Sequence, residues 1–332
     1  MLTEPNIAKQ PLIAAIETAF GLSVRSLDFL PIGADVHSFS YDCHTNDHRR
    51  FYLKLRLVDD SDSDLFSASL DIARQVEGAI HPVTNKLNDL NWLQFGSYKV
   101  ILFPFVTGVA GWDITLTPPQ WQQVGRTFRS LHNLVMPDPL KLILPREDFS
   151  DKWRVMASKY LKSELSVLAE DSYADEMNKL LAAKRSVISD IIDKAQELSE
   201  IVPQDQLEFV CCHGDLHSGN FLVTETGTAH PADWDNLSIA PREKDLMFIG
   251  GGIGGMLDGP NATELFRRSY GTYQVSVQAL RYFRFERIVE DVVAYCEQLL
   301  GSEEGGADRA VSLEQFSRQF GKGSVVDMAY KT

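Results

Sequence analysis

The stretch Cys211–Asn220 reads CCHGDLHSGN and gathers two cysteines, two histidines, an aspartate and an asparagine within ten residues. Three chemistries use such a set: metal binding, attack by a cysteine thiolate, or a loop that carries a base and a metal ligand. His213 and His217 are four apart, as two ligands on a helix would be, but Gly214 and Gly219 favour a loop. No H-E-x-x-H glutamate accompanies them. Cys211 and Cys212 are adjacent, so on a strand they face opposite ways and one belongs to the core. Nothing marks a base that would activate either thiol. The third chemistry draws in more of the chain. Asp215 and Asn220, five residues apart, offer a base and an oxygen ligand, and Asp233, past the next strand, offers a second carboxylate. Phosphoryl transfer needs this combination: a base for the acceptor hydroxyl, oxygens for magnesium, and a cation on the phosphates.

The elements that must position these residues change character along the chain. Leu12, Ile13, Ile16 and Phe20 recur at helical spacing before a stop at Gly21. From Ser26 to Leu57 the apolar and aromatic residues alternate around turns at Pro31–Gly33 and Thr45–His48, which reads as strands. A helix follows the acidic turn at Asp59–Asp64, and YKVILFPFV is a buried strand ending near Pro104. Beyond it the pattern is helical: TPPQWQQVGRTFRSLHNL, two long amphipathic segments over residues 150–200, and SVQALRYFRFERIVEDVVAYCEQLL. FVCCHGDLHSGNFLV, a turn at Glu225–Gly227 and strand character over Ala229–Asp233 make a short hairpin that interrupts the helices. The expected fold class is α+β and two-lobed, with a β-rich lobe over residues 1–104 and an α-rich lobe over residues 105–332.

Composition limits the partners. The 332 residues carry a formal net charge of -14, with 44% hydrophobic and 23% charged residues, so a sizeable core is expected. An acidic chain has no basic face for nucleic acid or an anionic membrane, and it tolerates a cationic ligand. The four cysteines (43, 211, 212 and 296) form no C-x-x-C pair. MLTEPNIAKQ is no secretion signal, and no apolar run approaches the ~18 residues of a membrane span. A cytoplasmic protein is expected.

The order Asp215, Asn220, hairpin, Asp233 follows that of a protein kinase catalytic loop and its DFG segment. HGDLHSGN followed by PADWDN resembles the signature of the aminoglycoside phosphotransferase family, over about residues 12–330. PREKDLMFIGGG and RFERIVEDV resemble most its spectinomycin phosphotransferase branch. The resemblance implies a kinase-like fold, ATP and Mg²⁺ as cofactors, and a cationic small-molecule substrate carrying the accepting hydroxyl. It implies Asp215 as catalytic base, Asn220 and Asp233 as metal ligands, and Lys54 as the cation on the phosphates. Between Lys54 and Val76 there is no glutamate to pair with that lysine, so Asp62 or Asp64 is expected to serve. Gly33 and Ser38, in PIGADVHSFSY, would cover the phosphates, and Pro104 and Val106 would form the hinge that reads adenine. Asp235 would touch substrate or brace the loop, Glu286 and Glu290 would line the cationic pocket, and Asp245 would hold the catalytic loop. His132, His217 and His230 are expected to be structural.

Two lesser motifs fall away. GGGIGG at 250–255 fits G-x-G-x-x-G literally but lacks the strand before it and the helix after it. GKGS at 321–324 lacks the upstream glycine of a P-loop. Two other readings stay open: a metabolic kinase of the same fold acting on choline, homoserine or a sugar, and a catalytically silent nucleotide-binding pseudokinase.

Overall fold

The computed structural model describes residues 3–32, 37–58, 62–162, 171–251, 261–301 and 306–332. Helix α1 (Lys9–Phe20) precedes a five-stranded antiparallel sheet in the order β1-β2-β3-β5-β4. Its strands are β1 (Val24–Leu30), β2 (Ser38–Thr45), β3 (Arg50–Leu57), β4 (Leu93–Phe95) and β5 (Tyr98–Pro104). Helix α2 (Ser63–Ala73) lies between β3 and β4 in the chain.

Alternation along β3 decides what the sheet offers each neighbour. Phe51, Leu53 and Leu55 pack with Leu12, Ile16 and Phe20 of α1. The intervening Tyr52, Lys54 and Arg56 therefore take the opposite face, where Ile101 of β5 packs with Phe66 and Leu70 of α2. Each large apolar side chain so buried contributes roughly 1.5–3 kcal/mol, which holds β3 in a single register. Lys54 sits opposite Ser40 on β2 and Ile101 on β5.

The rest is mainly helical, apart from the short strands of the site. Helix α3 (Pro118–His132) begins with two prolines, and the Gln120 carboxamide accepts from the Thr117 N–H at 2.8 Å. Short α4 (Asp138–Ile143) and α5 (Lys152–Lys162) follow, then α6 (Ser172–Ile201). Next come α7 (Glu243–Leu246), α8 (Ala262–Tyr270), α9 (Val277–Leu300), α10 (Ala307–Arg318) and α11 (Val325–Lys331). Met177, Leu181, Ile188 and Ile191 of α6 form one core with Ile288, Val289, Val292 and Cys296 of α9. None of these helices is long and apolar enough to cross a membrane, among the described residues.

The expected hairpin across Glu225–Gly227 is present, as part of one of two small sheets. β6 (Gly108–Ala110), β8 (Phe221–Thr224) and β9 (Ala229–Pro231) form a three-stranded sheet in the order β6-β8-β9. β7 (Phe209–Cys212) pairs instead with β10 (Ser238–Pro241). Val210, Cys211 and Cys212 are all buried, so β7 shows no alternation from which its partner could be read.

Candidate active site

Strand β7 delivers the chain to His213, and a buried carboxylate shapes the turn at this point. Asp245, fully buried in α7, accepts from the His213 N–H at 2.8 Å and the Gly214 N–H at 2.8 Å. His132 Nε2 lies 3.0 Å from the same carboxylate. Burial favours the neutral acid, but these hydrogen bonds favour the carboxylate, and the pKa of Asp245 is lowered. Gly214 has a φ of 80°, and a Cβ there would stand 2.5 Å from the Asn236 carbonyl oxygen, so only glycine makes this turn. The His213 ring spans to the next segment, with Nε2 3.0 Å from the Ala232 carbonyl.

Asp215 emerges from this turn with both oxygens engaged. Asn220 Nδ2 donates to its main-chain oxygen at 2.7 Å and to Oδ2 at 3.2 Å. Arg287 of α9 donates to Oδ1 at 2.6 Å and through Nε to Asp291 at 2.8 Å. Sequence reasoning missed Arg287. Its only local signal is the i,i+4 pair with Asp291, which any solvated helix also shows. Burial pushes Asp291 up to about 6 despite that pair.

The loop is wedged from its outer side by an aromatic ring the sequence did not single out. Trp112 stacks on His217 with centroids 5.2 Å apart. A Cβ on Gly219 would meet the Trp112 ring at 2.4 Å, so the loop and the ring touch directly. Burial lowers His217 to about 4, which leaves it neutral, and Nδ1 accepts from the Gly219 N–H at 3.0 Å. Its role in this structure is to hold the loop.

Across the cleft, Lys54 Nζ donates to Asp233 Oδ1 at 2.7 Å and to Asp235 Oδ2 at 2.8 Å. Burial alone would lower Lys54, but the two carboxylates outweigh it and the pKa is raised. Asp233 is lowered, chiefly by the Lys54 charge, whereas burial and the neighbouring Asp233 raise Asp235. Asp233 also occupies the left-handed region (φ 64°), a backbone strain of about 1–3 kcal/mol that such sites retain for function. Arg56 also pairs with Asp235.

Several expected residues stand elsewhere. Asp62, expected to pair with Lys54, lies exposed at the N-cap of α2, and Asp64 is exposed as well. The lysine is satisfied instead by acids that the fold brings from nearly 180 residues away. Asp235, expected to touch substrate or brace the loop, pairs with Lys54 and Arg56. Glu286 is buried and bound to Arg154 at 2.6 Å, so its charge is matched within the protein, although burial still pushes it up to about 7. That pairing makes it part of the scaffold of α5 and α9 rather than a free anchor for a cation. Glu290, one turn further along α9, is partly exposed and makes no ion pair among the described residues. Ser38 is buried at the start of β2. Pro104 closes β5 opposite Phe51, Phe105 N–H bonds the Arg50 carbonyl at 3.1 Å, and Val106 is partly buried just beyond. Gly33 lies outside the described residues, as do Gly252–Gly255.

The donor set beside Asp215 suits a hard divalent cation. Asn220 spends its amide nitrogen on Asp215, which leaves Oδ1 for a ligand, and Asp233 adds carboxylate oxygens. Asp215, Asn220, Asp233 and Lys54 thus lie close together where the five-stranded sheet meets the helical body. That architecture defines a kinase-fold phosphotransferase. The chain belongs to the phosphotransferase enzyme family, which it matches over residues 28–282. No curated protein sequence matches it significantly. Among solved structures it is similar to the spectinomycin phosphotransferase APH(9)-Ia bound to ADP and spectinomycin, with a TM-score of 0.88 and 29% identity over 98% of both chains. The AMP-bound complex of the same enzyme aligns with a TM-score of 0.84 and 28% identity, over 97% of this chain and 98% of that one. Choline kinase LicA from Streptococcus pneumoniae, at a TM-score of 0.58 and 11% identity over 92% of this chain and 97% of its own, shares the fold.

Proposed function

We propose that this protein transfers the γ-phosphoryl group of ATP, with Mg²⁺, to a hydroxyl of a cationic aminocyclitol antibiotic, spectinomycin, and so confers resistance in the cytoplasm. One observation carries the reading: near-complete two-way coverage by an enzyme solved with ADP and spectinomycin, over a chain in which Asp215, Asn220, Asp233 and Lys54 converge.

Residues 1–104 form the nucleotide-binding lobe, with Gly33 and Ser38 covering the phosphates, while Pro104 at its end and Val106 just beyond it meet the adenine. Lys54 exchanges one of its two carboxylates for phosphate oxygens, a trade of one charge-assisted hydrogen bond for another. Asn220 Oδ1 and Asp233 hold the metal. When bound there, Mg²⁺ would supply positive charge against the charge that develops on the transferring group. Residues 105–332 carry the catalytic loop and the substrate pocket. Asp215 orients the acceptor hydroxyl and takes its proton; Asn220 and Arg287 fix its carboxylate plane beforehand, which removes an orientational cost from the transfer step. Glu290 faces the substrate amines, since a carboxylate without an internal partner gains most from a partly desolvated cation.

The test is spectinomycin-dependent ADP release from Mg²⁺-ATP by the purified protein, beside Asp215→Asn. Release that the variant abolishes supports both the acceptor and the base. Release with choline, homoserine or another aminoglycoside, and none with spectinomycin, keeps the kinase and removes this substrate. ATP binding without release on any acceptor favours the silent pseudokinase.

A further inference from the structure

A polar pocket lies on the far side of Asp245 and His132 from the loop that carries Asp215. This open pocket of about 330 Å³ lies between the end of α3, the start of α7 and the segment after α8, with Arg129 and Asn133 exposed at its rim. Its wall includes Arg129, Asn133, Arg242, Tyr270 and Tyr273, and no acidic residue. In a chain of net charge -14, this wall presents two guanidinium groups, of which, among the described residues, Arg242 is matched by Glu208 and Arg129 is not. Arg129 makes no side-chain hydrogen bond or ion pair among the described residues. Arg242 has one carboxylate partner, Glu208, which is 73% exposed, and its guanidinium lies 5.6 Å from the Tyr273 ring. We propose that this cavity binds a phosphate monoester of a small ring compound, with Arg129 and Arg242 on the phosphate and Tyr273 against the ring.

The size supports an ester over the bare ion, because 330 Å³ falls in the range of small-molecule sites, at roughly 300–1,000 Å³, and exceeds what one phosphate fills. Guanidinium forks suit a phosphate, which accepts paired N–H bonds. The occupant also touches the catalytic machinery through one chain of hydrogen bonds. Arg242 donates to the Tyr270 hydroxyl at 3.1 Å, and that hydroxyl donates to His132 Nδ1 at 2.7 Å. His132 Nε2 then donates to Asp245 at 3.0 Å, the acid that holds the His213 and Gly214 amides. Each atom in the series pairs a donor with an acceptor in one direction, so every link polarises the next. A phosphate that draws on Arg242 thus acts on the turn before Asp215.

The experiment is thermal unfolding of the full-length protein titrated with sodium phosphate or glucose 6-phosphate, with and without ADP, at constant ionic strength. A ligand of the native state raises Tm along a saturating curve. The expected result is saturation by both, at lower concentration for glucose 6-phosphate, unchanged by ADP. Arg129→Gln should need at least about tenfold more of either ligand, as expected for losing one charged bond, while turnover without them is unchanged. Arg242→Gln should lose binding and also lower kcat, because it removes the first link of the chain. A linear, ligand-independent rise shared by Arg129→Gln would reduce the effect to a bulk salt response and overturn the site. Competition by ADP would place the binding in the cleft and overturn it too. Equal saturation by phosphate and its ester would overturn the ring contact.

Discussion

Asp245→Asn changes one buried oxygen to an amide with almost no change in volume. In the wild type, Oδ2 serves the His213 N–H and His132 Nε2, and Oδ1 serves the Gly214 N–H. Placing the amide oxygen at the doubly used position leaves the new NH₂ facing the Gly214 N–H. That unsatisfied buried donor costs about 1–3 kcal/mol, and the two surviving bonds each lose about 1 kcal/mol of charge assistance. The sum is about 3–5 kcal/mol, and for 332 residues unfolding with roughly 0.7 kcal/mol per degree it lowers Tm by about 4–7 °C. The turn before Asp215 loses its anchor, and a shift on the order of 1 Å there costs about 100-fold in kcat. Nucleotide affinity should barely move, because Lys54 stands on the opposite lobe. The pH dependence has a fixed sign. The pKa of Asp245 is lowered on folding, so its stabilisation is present above the unfolded value of about 3.9 and fades as pH falls through the folded one. The Tm gap between wild type and variant should narrow below about pH 4. Calorimetry and steady-state kinetics on both proteins are the assays. A variant that melts within about a degree of wild type at neutral pH, with unchanged kcat, would refute the claim that this carboxylate holds the loop.

The remaining expectations concern single contacts. Gly219→Ala would drive its Cβ into the Trp112 ring, so kcat should fall at least tenfold with KM for ATP little changed, read by initial rates. Glu286 has a folded pKa raised to about 7, so its contribution is fully present below the unfolded value of about 4.3 and is lost as pH rises through about 7. Glu286→Gln should flatten the fall in Tm between pH 5 and 8, whatever its offset, and an equally steep fall would contradict that account. Asp62→Ala should leave KM for ATP within about twofold of wild type, because the residue is exposed and makes no ion pair with Lys54. Arg287→Met should lower kcat by roughly tenfold or more while ADP binding, measured by calorimetry, stays as in wild type.

Sequence and tertiary structure supply different parts of this protein. The β-rich beginning and helical remainder were legible because alternation in RFYLKLRL and the 3.6-residue period of α3, α6 and α9 are local signals. The loop from Asp215 to Asn220 and Asp233 beyond it stand out in the sequence for a similar reason, since phosphoryl transfer would need such residues at short, ordered spacings. Partnerships were not. Lys54 chooses Asp233 and Asp235 over nearer acids, Asp215 receives Arg287, and Glu286 is matched by Arg154. A charged side chain on a helix or strand reads alike whether it faces water or a distant partner. Only packing brings the two together and removes the water that would otherwise make their choice indifferent.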